Sequence, residues 1–189
     1  MLLHEPQFSF VSRAGQKIEL KHPHLTDAAD LAHALQDQTV FDYIHTIPNP
    51  YTIKDAEEYI QFSIGQQIKG SVLNFGIFIS GKIRGMIGIA MQDKFNGEFG
   101  YWLNINYRNQ GIITAASKIV LKYAFKIKKV KRIGIRIIKE NLPSIKIMKH
   151  LGIPQKYFRE QELLYRDKHW DVLGFEITEE SYPDICKKW

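Results

Sequence analysis

The stretch of this sequence with the densest chemical content runs from Gly97 to Phe125, GEFGYWLNINYRNQGIITAASKIVLKYAF. A strand-like half passes into Tyr107-Arg108-Asn109-Gln110-Gly111, and from Ile112 the apolar residues switch to three-and-four spacing. A strand that opens through a short loop directly into a helix leaves the first backbone N–H groups of that helix without partners. They point outward at the positive end of the helix dipole, which suits an anion such as a phosphate. Gly111 lets the backbone come close to a ligand or take a positive φ. The loop is neither a Walker loop nor a dinucleotide fingerprint, since it contains no Gly-Lys-Ser/Thr and no GxGxxG. An ordinary tight turn has the same spacing, so the loop alone does not decide a function. The histidines show no His-Glu-x-x-His spacing and the chain no Cys-x-x-Cys, so no metal centre is expected. Tyr101 and Trp102 read as sheet packing.

The elements that must hold this loop follow from periodicity and turn chemistry. Residues 17–22 alternate as a strand, and Thr26 is placed to cap a helix over 27–36. A second helix starts near Thr52, with Asp55 at capping-box spacing and Tyr59, Ile60 and Phe62 on its core side. Strands 72–79 and 83–91 are joined by Ser80-Gly81-Lys82, and Asn96-Gly97 reads as a second hairpin turn into strand 98–105. Helix 112–127 and strand 132–138 come next. Asn141 then caps a short helix with Pro143 in its first turn and Gly152 at its end, before strands near 156–165 and 169–178. The step across 98–138 is a parallel crossover and the hairpins are antiparallel. The expected class is α/β (α+β), one domain with a mixed, mostly antiparallel sheet of about six or seven strands flanked by about four helices.

Composition narrows the setting. The chain has 189 residues, is 44% apolar and carries a formal net charge of +6. Its single cysteine, Cys186, cannot form an internal disulfide. No apolar run is long enough for a membrane span, and no basic segment followed by a long apolar stretch opens the chain. A reducing cytoplasm is the expected compartment. The lysines from Lys126 to Lys131 fall where a helix ends, a place the helix dipole favours for cations. No aromatic residues interleave with them in sequence, so a nucleic-acid partner is not expected.

Ordered landmarks raise the loop above an ordinary turn. Arg108-Asn109-Gln110-Gly111-Ile112-Ile113 resembles the Arg/Gln-x-x-Gly-x-Gly/Ala coenzyme A signature of the GNAT acetyltransferase superfamily. Gly100-Tyr101-Trp102-Leu103 is similar to its RimJ/RimL-like branch, which acetylates ribosomal proteins. Glu140-Asn141-Leu142-Pro143-Ser144 resembles that branch's E/D-N-x-x-S, and Leu151-Gly152-Ile153 stands where Leu-Gly-Phe is usual. The likeness covers roughly residues 16–178. It implies a GNAT fold, acetyl-CoA as cosubstrate and no metal. The pyrophosphate would rest on the N–H groups of Asn109, Gln110, Gly111, Ile112, Ile113 and Thr114, with Arg108 opening the motif. The pantetheine arm would lie along Leu103 to Ile105 and bond Asn141, with the thioester in a gap between strands 98–105 and 132–138. An N–H near Leu103 would face the developing oxyanion.

The same resemblance distributes the proton chemistry. Ser144 would sit beside the coenzyme sulfur and donate to it. Glu162, in Arg159-Glu160-Gln161-Glu162-Leu163, is the expected general base; Glu160 is its rival within one residue of alignment slack, and strand alternation puts both on one face. Glu98 is a third candidate, and Tyr165 a further thiol-side acid. Asn109 stands where relatives often have glycine. Ile113 replaces a small residue and would crowd the pyrophosphate unless it points into the core. The expected acceptor is a primary amine, foremost the N-terminal α-amine of a ribosomal protein. Small amines such as polyamines, aminoglycosides or amino-sugars are the alternative, and a non-catalytic domain that binds coenzyme A or RNA is a third. A basic chain argues mildly against polycations, unless the cleft itself is acidic. Residues 25–65 and 155–170 are expected to line the acceptor site, in a monomer or homodimer.

Overall fold

The computed structural model describes residues 6–44, 47–165 and 167–189. One eight-stranded sheet organises the chain in the order β1-β2-β3-β4-β5-β6-β8-β7. The strands are β1 (Phe8–Val11), β2 (Lys17–Lys21), β3 (Val72–Ile79), β4 (Lys82–Met91), β5 (Asn96–Leu103), β6 (Arg132–Ile138), β7 (Gln155–Tyr165) and β8 (Lys168–Thr178). The helices are α1 (Ala28–Ala34), α2 (Gln38–Phe41), α3 (Ile53–Ile68), α4 (Ile112–Lys122), α5 (Leu142–Leu151) and α6 (Tyr182–Cys186). Every strand pair is antiparallel except β5 with β6. Among the described residues, no helix is long and apolar enough to cross a membrane.

Each face of the sheet carries its own core. Leu31, Phe41, Ile60, Phe78, Ile83 and Met86 pack beneath α1, α2 and α3 on one side. Ile87, Phe99, Ile112, Val120, Ile135, Met148 and Ile177 pack beneath α4, α5 and α6 on the other. In β5, Phe99, Tyr101 and Leu103 therefore belong to the α4–α5 face, while Trp102 packs with the α1–α3 core.

The expected mixed sheet is present, with more elements than periodicity found. Strand β1 was missed because four residues give too short a run to register; it pairs with β2 through Phe8↔Leu20 to Val11↔Lys17. Helices α2 and α6 span only 4 and 5 residues. The β3–β4 hairpin turns as expected, with φ of 52° at Ser80 and 76° at Gly81, the paired positive angles such a turn requires. Asn96-Gly97 is not a turn but the start of β5; the bend precedes it, where the Asp93 carboxylate accepts the N–H groups of Phe95 and Asn96 at 2.7 and 2.9 Å. Asp27, not Thr26, precedes α1 as its cap residue. Thr52 and Asp55 do form the capping box of α3. Phe62, expected in the core, is 61% exposed; Ala56, Ile60 and Ser63 are the buried face.

Candidate active site

Strands β5 and β6 run side by side only briefly. They pair at Asn96↔Arg132, Gly97↔Ile133 and Glu98↔Gly134, and beyond Glu98 they separate. The opening leads into a cavity of about 850 Å³ that reaches from α3 on one face to α5 on the other. Residues of β5 from Glu98 to Trp102 line one wall and Ile135 to Ile138 of β6 the opposite wall. A Cβ built on Gly100 would meet nothing within 4 Å, so the strand opens directly onto free space. The register with β4, in which Asn104 donates its N–H to Arg84 at 2.9 Å, turns the N–H groups of Tyr101 and Leu103 away from β4 and toward the gap.

The loop after β5 is held in an unusual shape. Asn109 has φ 63° and Gly111 φ 75°, two left-handed residues on either side of Gln110. Asparagine is among the few non-glycine residues that tolerate this region, which accounts for its place at 109. Gly111 caps α4 without a side-chain bond, so the first N–H groups of the helix stay available. Ile112 and Ile113 are buried in the core at 1% and 8% exposure, so Ile113 does not crowd the loop.

Three other segments brace it. Arg108 donates Nε to the Leu103 carbonyl at 2.9 Å and places Nη2 3.5 Å from Asp37. Asp37 also accepts the N–H of Ile105 at 2.7 Å and that of Thr39 at 3.0 Å. Arg13, in the β1–β2 turn, donates its N–H to the Gln110 carbonyl at 3.2 Å and lays its side chain beside Gly111. Ile105 departs from its expected part: the chain leaves β5 at Leu103 and enters a short 3₁₀ turn, so the Ile105 N–H is bonded to Asp37 rather than free for an extended ligand. Asp37 and Arg13 were missed because nothing in their local sequence announces contacts so far along the chain.

The candidate acid and base residues fall on opposite faces. Ser144 and Asn141 line the cavity from α5, and the Asn141 side chain accepts the Ser144 N–H at 3.2 Å. Tyr101 lines it too, although the sequence pattern reads it as packing; its hydroxyl is cut off from solvent. Burial pushes that phenol up to about 12, and the neighbouring Ser144 hydroxyl pulls it partly back. Glu98 lines the cavity on the other face, gripped by Arg136 of β6 at 2.9 and 3.2 Å. This bidentate pair bridges the two strands beside the split and holds the Arg136 guanidinium above its ordinary range.

Glu160 and Glu162 do not share a face. A bulge between Arg159 and Leu163, with Gln161 at φ 52°, breaks the alternation. Glu160 is exposed, whereas Glu162 turns inward, bonds Arg159 at 3.2 Å and acts electrostatically on Arg136. One Glu162 oxygen is buried with no partner among the described residues. Glu162 is not among the cavity-lining residues and Glu98 is. The Tyr165 hydroxyl donates to the Phe41 carbonyl at 2.6 Å and ties β7 to α2, and Tyr165 is not among the cavity-lining residues. Of the stretches expected to surround an acceptor, Leu31, Leu35, Tyr43, Tyr51, Tyr59 and Leu163 do line the cavity. Residues 45, 46 and 166 of those stretches lie outside the described residues.

The profile of the acetyltransferase (GNAT) domain family matches residues 17–153, well over half of the chain. The chain is a member of the GNAT acetyltransferase family. Its relatives include a Bacillus licheniformis protein named as an uncharacterized N-acetyltransferase, p20, 26% identical over 172 residues that cover 88% of this chain and 96% of p20. Among solved structures, Mycobacterium smegmatis RimJ in complex with CoA-disulfide superposes with a TM-score of 0.86 at 21% identity, covering 98% of this chain and 95% of RimJ. The ribosomal-protein-S5-alanine acetyltransferase from Vibrio fischeri gives 0.82 at 16% identity, with 94% and 98% covered. These two likenesses are of fold. For a GNAT N-acetyltransferase, the split sheet and the uncapped helix start are the parts on which the chemistry must be built.

Proposed function

We propose that this chain transfers the acetyl group of acetyl-CoA to a primary amine, with the N-terminal α-amine of a protein of the ribosomal kind as acceptor. The observation that carries the reading is the parting of β5 and β6 after Glu98, which opens a cavity with a hydroxyl pair on one side and a carboxylate on the other. The residues present fit the coenzyme: the uncapped N–H groups from Gly111 to Thr114 suit its diphosphate, and the space over Gly100 suits its arm. Acetyl-CoA supplies an activated acyl group on a thiol leaving group. The ribosomal acceptor is supported by the fold likeness to RimJ and the S5-alanine acetyltransferase.

In this reading Glu98 takes the proton that the attacking amine must shed, directly or through a water. An α-amine needs less help than a lysine, since it ionises near ~8 rather than ~10.4. Arg136 keeps the carboxylate fixed toward the cavity. The N–H groups of Tyr101 and Leu103 meet the developing oxyanion, and the Ser144 hydroxyl meets the departing sulfur. Glu162 stands behind Arg136 as the alternative base.

A small cationic amine is the second reading, because the cleft is acidic although the chain is basic. Asp55, Glu58 and Glu98 line the cavity against the single guanidinium of Arg136 among the described lining residues. The aversion to polycations expected from net charge therefore does not extend to this cleft. Thiol release from acetyl-CoA with a panel of amines and N-terminal peptides tests both readings. Turnover with peptides blocked at lysine but free at the N-terminus is expected; turnover with small amines alone favours the second reading. Glu98→Gln should lower kcat on the order of 100-fold and Glu162→Gln far less. The reverse order would move the base to Glu162.

A further inference from the structure

We propose that Tyr101 is a positioning residue for departure of the thiol: its phenol donates a hydrogen bond to the Ser144 oxygen and thereby aims the Ser144 O–H at the leaving sulfur. The inference rests on the acetyl-transfer reading of the cavity and adds a role for a side chain that the sequence pattern reads as packing.

The placement begins with the alternation of β5. Phe99, Tyr101 and Leu103 project toward α4 and α5, whereas Trp102 projects toward α1–α3. Tyr101 and Ser144 thus meet on the same face and line the same cavity, away from the Glu98–Arg136 pair. The Tyr101 ring is fixed against Phe99, with centroids 5.6 Å apart and planes tilted by 58°. Ser144 is fixed from the other side, because its N–H is held by Asn141 in the first turn of α5.

The Tyr101 hydroxyl oxygen is fully buried and has no hydrogen-bond partner among the described residues. The Ser144 side chain is close enough to act on it all the same. A buried phenol left this way costs free energy, and a bond to the Ser144 oxygen recovers it. Burial keeps the phenol protonated at any working pH, so Tyr101 serves as a donor and not as a base. A serine hydroxyl has one proton. When that proton points at sulfur, the oxygen is left with lone pairs facing its neighbours, and a donor behind it strengthens the bond it makes ahead.

The chemical balance needs nothing further. The C–N bond forms, the C–S bond breaks and its electron pair goes to sulfur. The amine proton leaves toward Glu98 on the opposite face. The sulfur departs as a thiolate, held by the Ser144 O–H, and a thiol that ionises near ~8.5 takes its proton from water after release. No proton has to leave Tyr101.

A double-mutant cycle on the full chain tests the pair. Tyr101→Phe, Ser144→Ala and the double variant are compared by single-turnover acetyl transfer, with acetyl-CoA affinity from calorimetry. Tyr101→Phe should lower the transfer rate on the order of tenfold, with acetyl-CoA affinity within about twofold of wild type. In the Ser144→Ala background the same change should cost less than about twofold, because the two groups act as a unit. An equal cost in both backgrounds, or a loss of affinity that accounts for the whole effect, would make Tyr101 merely structural and overturn the proposal. So would an unchanged rate in Tyr101→Phe. A wild-type protein that releases no thiol with any amine would instead remove the acetyl-transfer reading itself.

Discussion

Gly111 is the residue at which backbone conformation, helix capping and ligand binding coincide, and Gly111→Val tests all three. The position has φ 75° and ψ 4°, inside the left-handed region. An L-residue there costs roughly 1–2 kcal/mol, and a β-branched one sits at the upper end. The added Cβ would also come within 3.2 Å of Arg13 Nε, a contact that a flexible side chain relieves by moving. The backbone term therefore dominates. If the loop keeps its shape without ligand, the whole cost appears in stability and none in affinity. If it relaxes when empty, acetyl-CoA must rebuild it, and 1.4 kcal/mol is a tenfold loss of affinity. We expect the variant to relax at this position, because the braces from Arg13 and Asp37 reach Gln110, Ile105 and Arg108, whereas Gly111 caps α4 without a side-chain bond. Calorimetry with acetyl-CoA should show Kd raised about tenfold or more, and urea unfolding a stability loss below about 1 kcal/mol. Wild-type affinity together with wild-type stability would mean that the left-handed angle is not needed, and would refute the assignment of this loop as the diphosphate site.

Three further outcomes follow from the geometry. Asp37→Ala strips four groups of an acceptor, the N–H and hydroxyl of Thr39, the N–H of Ile105 and the Arg108 guanidinium, from a carboxylate whose side chain is 5% exposed. Arg108 is about a third exposed and rehydrates in part, so a loss of about 2–3 kcal/mol in urea unfolding is expected. A loss under about 0.5 kcal/mol would show that the loop is not braced this way. Asn141→Ala removes the cap of α5 and should cost about 1 kcal/mol, read as a lower Tm by calorimetry. Alkaline pH should weaken the fold: burial holds Tyr101 up to about 12 and raises Tyr51, Tyr59 and Tyr182 as well. An unfolded tyrosine ionises near ~10, so above that pH the unfolded chain has released protons the folded chain still holds. The stabilisation is complete below about pH 10 and fades toward pH 12, so the urea midpoint should fall between pH 9.5 and 11, and a flat midpoint would contradict the burial of these phenols.

What the sequence determined by itself is whatever depends on near neighbours. The left-handed loop that opens into α4 was legible because Asn109, Gly111 and the onset of three-and-four spacing at Ile112 are adjacent, and left-handed angles and helix starts are set by consecutive residues. Asn141, Pro143 and Gly152 marked both ends of α5 for the same reason. Tertiary structure decided everything that depends on how strands diverge and where elements meet. The parting of β5 from β6 after Glu98 leaves no local trace, since both strands keep their alternation. The bulge at Gln161 separates Glu160 from Glu162, and a two-residue period cannot foresee it. Tyr101 looked like packing because a tyrosine in a strand usually is; only α5, some forty residues further along, brings Ser144 to the buried hydroxyl. Asp37 reaches Ile105 and Arg108, and Arg13 reaches Gln110, across most of a domain of chain. Periodicity records which face a side chain takes; partners brought together by folding are set by packing, and packing has no one-dimensional signature.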